Sequence, residues 1–518
     1  MTGDEYQPRS PYLVGPPIQT VDGFYGRRMQ IDSFFENLNR PQLCSQRILG
    51  ARRSGKTSFL RHVSNPKIHT GRIRTPGLPV IFAYVDLQGI ATEPTALPHA
   101  RALHDHRRSG PDRTGPMLFF REVASAIAVA APSGKKIRVP KTFRDSASFD
   151  TWLGGIGRRF RLVVLLDEFE TLVRSDGFGL DFFRKMRALT SGKTQLAWAT
   201  ASYRDVVTLS RPPGAKDLAS PLYNVFHPDP IYMGPLEDSE AEALVANPAA
   251  RHGIELSGDE VRHIREIAGN MPFFLQAAAE KWLIERVRRR EQEECSELVI
   301  AHLMAPGNLV REQLEQFWAS LFMKERQPLK LLTEGKGCPE NPQNHDILAA
   351  LENYGFLGRQ HGALRLQGRL LQHWIRNLSS TAHGIPRVFI GHGRSPLWLK
   401  VKEVADKDLG LIPICYESKP RTGQSIVPIL QEMLDQADFA ILVMTGEDLT
   451  GKGDRRPRQN VVHEAGLFQG RLGFERTVLL VEKGVEFLSN LHGMQVIGFK
   501  GDDIEGTFWN LSRVLRRV

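Results

Sequence analysis

The stretch Gly50-Ala51-Arg52-Arg53-Ser54-Gly55-Lys56-Thr57 constrains this chain more than any other. It has the form G-x-x-x-x-G-K-[ST], follows the apolar run Arg47-Ile48-Leu49, and precedes a helical pattern from Ser58 to Val63. A strand, a glycine-rich loop and a helix in that order build a phosphate cradle. Gly50 and Gly55 let the backbone curl so that amide groups around Ser54 and Ser58 aim at phosphate oxygens. The helix behind them adds the positive end of its dipole. In this pattern Lys56 reaches the β- and γ-phosphates, and the Thr57 hydroxyl holds Mg²⁺.

A second motif supports the first. Leu162-Val163-Val164-Leu165-Leu166 ends in Asp167-Glu168. A buried strand delivering two carboxylates at its end supplies a Mg²⁺ partner, Asp167, and a group that polarises the attacking water, Glu168. The same pair could cap a helix, but that reading is weak beside a phosphate loop. The next strand-like run, Gln195 to Thr200, leads into Ala201-Ser202-Tyr203-Arg204. Ser202, with Arg204 behind it as a weaker choice, is expected beside the γ-phosphate. Gly269-Asn270-Met271-Pro272-Phe273 opens a further helix, with Pro272 in its first turn.

A chain of 518 residues needs several domains. Residues 1–20 are polar and proline-rich and read as a tail or arm. Over 21–235, strand-like runs at Arg47–Leu49, Pro79–Val85, Leu162–Leu166 and Thr194–Ala199 alternate with amphipathic stretches, which argues for a parallel sheet wrapped by helices. Residues 91–118 read as a surface loop. Residues 236–300 form a helical lid, with helices over Asp238–Val245, Gly258–Ile267 and Met271–Val287. Residues 301–378 carry helices, a short hairpin at Gly355–Leu366 and a last helix, as in a winged-helix domain. A small polar linker spans 379–385. Strand-like runs return over 386–518, at Val388–Ile390, Ile412–Cys415, Phe439–Met444 and Thr477–Val481. The whole reads as an α/β multidomain chain.

Hydrophobic residues make up 41% and charged residues 24%, which suits globular domains. The net charge of +10 permits nucleic-acid binding without requiring it. Its densest clusters are Arg288-Arg289-Arg290 and Arg455–Arg458, and most basic residues read as solvated surface. Cys44, Cys295, Cys338 and Cys415 form no C-x-x-C pair, so neither a zinc site nor a disulfide framework is expected. The N-terminus lacks a signal-peptide pattern, and no apolar run is long enough to span a membrane. A cytoplasmic protein with no membrane partner is the expectation.

The motifs GARRSGKT, LLDEFE, GNMPFFLQ and Phe24-Tyr25-Gly26-Arg27-Arg28 resemble the STAND and archaeal-type ATPases of the AAA+ group. The resemblance covers roughly residues 21–376. It implies an AAA+ type sheet with a lid and a winged helix, an ATP/ADP switch that governs self-association, and Pro272 at the bound nucleotide. In the C-terminal part, VFIGHGRS, DFAILVMTGED and RPRQNVVHEAGLFQGRLG resemble the bacterial TIR-like domains, with a flavodoxin-like fold. In enzymatic TIR domains a helix glutamate cleaves the nicotinamide–ribose bond of NAD⁺; the matching residue is Glu464. The resemblance places Ile390, Gly391, His392, Gly393 and Ser395, then Thr445 and Asp448, then Arg458 and Asn460, around NAD⁺. Asn460 also suits a helix cap.

Together these features imply an ATP-regulated bacterial immune effector. It would assemble on a phage or cellular trigger and deplete NAD⁺, with slow ATP turnover. The alternatives are a non-enzymatic switch whose TIR-like domain binds a nucleotide or a partner, and a DNA-binding ATPase.

Overall fold

A computed structural model describes residues 10–74, 77–91, 115–175, 178–191, 195–205, 222, 225–287, 292–321, 323–342, 344–380, 386–416, 426–449, 454–485 and 495–517. The Arg288–Arg290 cluster, the 381–385 part of the expected linker and most of the expected 91–118 loop lie outside these residues. Of that loop, residues 115–118 open the helix Gly115–Val129. The chain divides into two compact units. One comprises 1–211, 219–314 and 339–374, the other 212–218, 315–338 and 375–518.

The first unit is built on five strands: β1 (Gln46–Leu49), β2 (Val80–Asp86), β3 (Arg161–Asp167), β4 (Leu196–Ser202) and β5 (Ile231–Tyr232). They run in the order β2-β3-β4-β1-β5, every pairing parallel. Every residue of β3 and β4 is buried, as expected for central strands covered on both faces. Phe34, Phe35 and Leu38 of the helix Arg28–Leu38 and Phe59, Leu60 and Val63 of the helix Lys56–Ser64 share one core with Ile48, Val163 and Ala199. Phe119 lies edge-on to Phe182 at 5.1 Å and 6.3 Å from Trp198 of β4, in an aromatic cluster of its own.

The helices over the stretch expected to form a lid are Asp238–Arg251, Gly258–Ala268 and Pro272–Val287. The first runs six residues past the expected Val245, through Pro248. The buried face of Ala241, Leu244, Val245 and Ala249 carries it past the missing amide. Ser257 starts the second with a capping box to Glu260, and Gly269 ends it in the left-handed conformation, φ 67. The described part of the expected tail is an arm: the Tyr12 hydroxyl donates to Val245 O at 2.7 Å, and Ile18 N–H donates to Ser58 Oγ at 3.0 Å.

The helix His345–Asn353 precedes an antiparallel hairpin, β6 (Leu357–Gln360) and β7 (Ala363–Leu366), and the helix Arg369–Ser380 follows it. The C-terminal sheet is formed by β8 (Arg387–His392), β9 (Ile412–Ile414) and β10 (Phe439–Met444). The small ribbon β11 (Asp448–Leu449) and β12 (Arg455–Arg456) interrupts the series, and β13 (Thr477–Glu482) and β14 (Gln495–Phe499) complete the sheet. Its order is β14-β13-β10-β8-β9, all parallel. Alternation along β8 sends Val388 and Ile390 into a core with Leu397, Phe508 and Leu511, and Phe389 into another with Val461, Ala465 and Phe468. β14 has no counterpart among the expected strands. Among the described residues, no helix is long and apolar enough to cross a membrane.

Candidate functional sites

The phosphate loop opens on a cavity of about 450 Å³. Ser54, Gly55, Lys56, Thr57, Ser58, Glu168 and Pro272 all line it, as the sequence leads one to expect. Gly50, Asp167 and Ser202 are not among its lining residues. Gly50 is held from behind: its N–H donates to Ser202 O at 3.3 Å, and a Cβ there would lie 2.9 Å from Met233 Cβ. Only glycine fits so close an approach. Asp167 accepts from the Tyr84 hydroxyl at 2.9 Å and from Glu168 N–H at 3.1 Å. The Ser202 hydroxyl donates to Arg204 O at 2.7 Å, so it turns along its own chain.

Lys56 is buried, and its ammonium donates to Gly50 O at 2.9 Å and Ala51 O at 3.0 Å. Burial pulls its pKa down, while Glu170, Glu168 and Asp167 act to keep it charged. Burial and then the Glu170 charge push the Glu168 carboxyl up, against the pull of Lys56. Glu168 is also held in the left-handed region, φ 53, where a non-glycine residue is uncommon.

Three further residues shape this cavity. Arg27, 2% exposed, donates through Nη2 to Ser54 O at 3.1 Å and Gly234 O at 2.6 Å, and through Nη1 to Pro235 O at 3.3 Å. It thereby ties the phosphate loop to the segment leading into the lid. Burial pulls its pKa down to about 10. Arg53 lies 4.7 Å above the Phe273 ring, so the loop and the lid helix also meet through a cation–π contact. Arg27 sits in the FYGRR motif, whereas Arg53 and Phe273 have no signal of their own beyond their motifs.

The second site lies at the C-terminal ends of β8 and β10. In this strand order the chain reverses direction across the sheet between those two strands, and ligands of open α/β sheets bind at such a point. The helix Gln459–Leu472 packs Val461, Ala465 and Phe468 inward, and the Phe468 ring stacks on Phe389 at 4.1 Å. Glu464, on the same helix, is half-buried. A Cβ on Gly391 would lie 2.6 Å from its Oε2. The absence of a side chain at Gly391 is what makes room for the carboxylate.

Around it, the Glu447 carboxylate organises the turn after β8. It accepts from Arg394 N–H at 2.7 Å, Ser395 N–H at 3.0 Å and the Thr445 hydroxyl at 2.6 Å. Partial burial opposes ionisation, but these bonds and the Arg458 charge hold its pKa below the ordinary carboxylate value. Ile390 is buried in its strand, and the His392 ring stacks on Trp398 at 4.1 Å. His392 Nδ1–H donates to Gly393 O at 2.8 Å. Asp448 is exposed on β11, opposite Arg456.

One expectation is corrected here. Asn460 is not the cap of its helix: Arg458 holds that position, without a side-chain cap, and Asn460 is the exposed second helical residue. The Glu482–Arg455 pair escaped the sequence reading, because its members are far apart in the chain. Glu482 Oε2 accepts from Gly446 N–H at 2.9 Å, and its Oε1 meets Arg455 Nη1 at 3.2 Å, which fixes the loop carrying Glu447.

Residues 387–501 match the family described as CAP12/Pycsar effector protein, TIR domain, and residues 156–320 match Novel STAND NTPase 2. The Pycsar effector protein PaPycTIR of Pseudomonas aeruginosa is 40% identical over 135 residues, 25% of this chain and 44% of that protein. CD-NTase-associated protein 12 of Flavobacterium daejeonense is 33% identical over 120 residues, 22% of this chain and 38% of that protein. The chain thus spans less than half the length of these relatives. The Walker-type ATPase of Pyrococcus abyssi aligns at 15% identity and a TM-score of 0.43, over 70% of this chain and 98% of that one. The chain therefore joins a STAND-type P-loop NTPase region to a TIR domain of the CAP12/Pycsar effector kind.

Proposed function

We propose that this protein is an ATP-regulated immune effector whose TIR domain hydrolyses NAD⁺ through Glu464. The observation that carries the reading is the packing of the Glu464 carboxylate against the side-chain-free Gly391, at the reversal point of a parallel sheet. In the reaction the bond between ribose C1′ and the nicotinamide nitrogen breaks, and nicotinamide leaves with the bonding pair. A water oxygen bonds to C1′ and releases a proton, giving ADP-ribose; attack by an adenine nitrogen instead would give a cyclic product. Positive charge builds on the ribose as the bond stretches, and a fixed carboxylate stabilises it. Glu447 orients the turn 393–395 and the Thr445 hydroxyl, and in this reading His392, Asp448, Arg458 and Asn460 would contact NAD⁺ with them.

The NTPase region is the control element. ATP fits the cavity beside Lys56: the fully buried Ser54 hydroxyl has no hydrogen-bond partner among the described residues, and a phosphate oxygen would satisfy it. Thr57 and Asp167 offer the hard oxygen donors that Mg²⁺ takes, and the ion would offset phosphate charge. Glu168 orients the attacking water. The ATP-bound state favours self-association after a trigger, provided that the assembled form binds ATP more tightly than the resting one. The Pycsar and CD-NTase-associated relatives support a role in bacterial anti-phage defence.

A DNA-binding ATPase has less support. Of the two hairpin arginines that could serve as wing contacts, Arg359 engages Glu352 at 2.7 Å and Glu340 at 3.0 Å, which leaves the exposed Arg365. The deciding experiment follows NAD⁺ in purified full-length protein, with ATP or ADP and across assembly states. The wild type is expected to consume NAD⁺ and Glu464→Gln to leave it intact. A fully assembled wild type that leaves NAD⁺ untouched would sink the enzymatic reading in favour of a binding-only switch.

A further inference from the structure

The acidic end of β3 carries a third carboxylate that the proposed ATP chemistry does not use. Glu170 opens the short helix Glu170–Arg174 and is only 4% exposed. A carboxylate buried that deeply is costly unless it has a specific partner. Its Oε1 accepts from Tyr203 N–H at 3.1 Å, and its Oε2 is buried with no hydrogen-bond donor among the described residues. It does not line the cavity, and besides the action of its charge on Lys56 and Glu168 its link to the site's framework is the bond to Tyr203.

Tyr203 is where several parts of the first unit converge. The ladder between β3 and β4 runs as far as Leu166 and Thr200. Beyond it, Phe169 N–H donates to Ala201 O at 3.0 Å, and the Glu170 bond to Tyr203 is a second tie. Ser202 O in turn accepts from Gly50 N–H, the first residue of the phosphate loop. The Tyr203 side chain points elsewhere: its ring stacks on Tyr354 at 5.8 Å and 21°. Tyr354 caps the C-terminus of the helix His345–Asn353 and meets Tyr232 edge-on at 6.2 Å. Gly355 follows it so closely packed that a Cβ there would lie 2.7 Å from Pro235 Cδ and from Met271 Sδ, at either end of the lid's first two helices.

We propose that Glu170 is a positioning residue: it fixes the turn after β4 against the acidic end of β3, and through the Tyr203–Tyr354 stack couples the phosphate end of the cavity to the helix His345–Asn353. This rests on the cavity being an ATP site. The backbone of residues 202 and 203 touches the site's framework, and the Tyr203 ring touches the helical region. A shift of the strand ends around bound phosphates therefore reaches Tyr354 without crossing solvent.

The test uses full-length protein and follows single-turnover hydrolysis of bound ATP, the affinity for a fluorescent ATP analogue, and ATP-dependent hydrogen-exchange protection of residues 345–366. Glu170→Ala is expected to slow hydrolysis about tenfold or more while affinity stays within about threefold, because it loosens placement rather than phosphate contact. The ATP-dependent protection is lost with it. Glu170→Gln is expected to restore both, since its amide oxygen still accepts from Tyr203 N–H. A merely structural carboxylate would alter thermal stability without removing the ATP-dependent part of the protection. Wild-type hydrolysis and protection in Glu170→Ala overturn the inference. So does Glu170→Gln that is as impaired as the alanine variant, which would assign the effect to charge. If the alanine variant does not fold, Glu170→Asp replaces it: its carboxylate is one methylene too short to reach Tyr203, and wild-type behaviour there also overturns the inference. A wild type that binds no ATP removes the ATP-site reading first, and this one with it.

Discussion

The two five-stranded parallel sheets of this protein bring carboxylates to the ends of their strands by different routes. In the N-terminal sheet the acids continue the strand itself: Asp167 ends β3, and Glu168 and Glu170 follow within three residues. In the C-terminal sheet Glu464 arrives from a helix and reaches the sheet only because Gly391 leaves space beside it. Their electrostatics differ as well. Glu168 is pushed up by burial and by Glu170, whereas Glu447 is held down by three hydrogen bonds despite partial burial. The first arrangement raises a carboxyl through burial and a neighbouring acid. The second keeps one ionised as an anchor for a turn. Similar sheets can therefore frame two differently built candidate sites, because the chemistry sits in what is attached to the strand ends.

The sharpest way to break this comparison is to remove each acid's charge separately. Glu464→Gln is expected to lower NAD⁺ consumption by about a thousandfold while ATP binding is unchanged. Glu168→Gln should leave ATP bound and slow its hydrolysis by about a hundredfold. Parallel assays of the two variants for both substrates would show whether the sites divide the work. Loss of NAD⁺ cleavage in Glu168→Gln, with assembly intact, would mean that they do not.

Gly391→Ala tests the space that admits Glu464. The added methyl would meet Glu464 Oε2 at 2.6 Å and press on the Leu442 side chain. Overpacking of this sort costs about 1–3 kcal/mol, so thermal melting of the TIR region should shift down and NAD⁺ consumption should fall with it. Full activity in that variant would show that the carboxylate does not work where it is seen.

The smallest effect concerns Glu447. Its folded-state pKa lies below the unfolded value, so its contribution to stability is present above the unfolded pKa and lost as pH falls through the folded one. Glu447→Gln should flatten that acid-side loss in a pH series of denaturation midpoints, with little change at neutral pH. A pH series that keeps the same acid limb would remove Glu447 as its source.

Much of the N-terminal site was legible because its parts are contiguous. The phosphate loop and the Asp167-Glu168 pair each follow a strand, and a strand–loop–helix geometry is nearly fixed once those residues are in place. What the motifs did not reveal was Arg27 gripping Ser54, Gly234 and Pro235, since two of those carbonyls lie 207 and 208 residues away from it. Ser202 was legible as a polar residue at a strand end, but its hydroxyl direction depends on the turn that brings Arg204 O within 2.7 Å. In the C-terminal region, Val461, Ala465 and Phe468 recur at helical spacing and form the buried face of their helix. The helix starts at Gln459, one residue ahead of Asn460, and the β11–β12 ribbon before it has two residues in each strand and leaves almost no periodic signal.

Residue order alone specifies the phosphate-binding loop pattern, a strand ending in two acids, and a later alternation of strands and helices. These are local properties, set by residue types at short spacings, and steric and hydrophobic rules act on them directly. Only the tertiary structure decided that Glu464 meets Gly391, that Glu447 organises the turn after β8, and that Glu170 ties β3 to the turn carrying Tyr203. Each of those contacts joins residues whose neighbourhood is created by strand order and helix packing, and no short stretch of sequence encodes it.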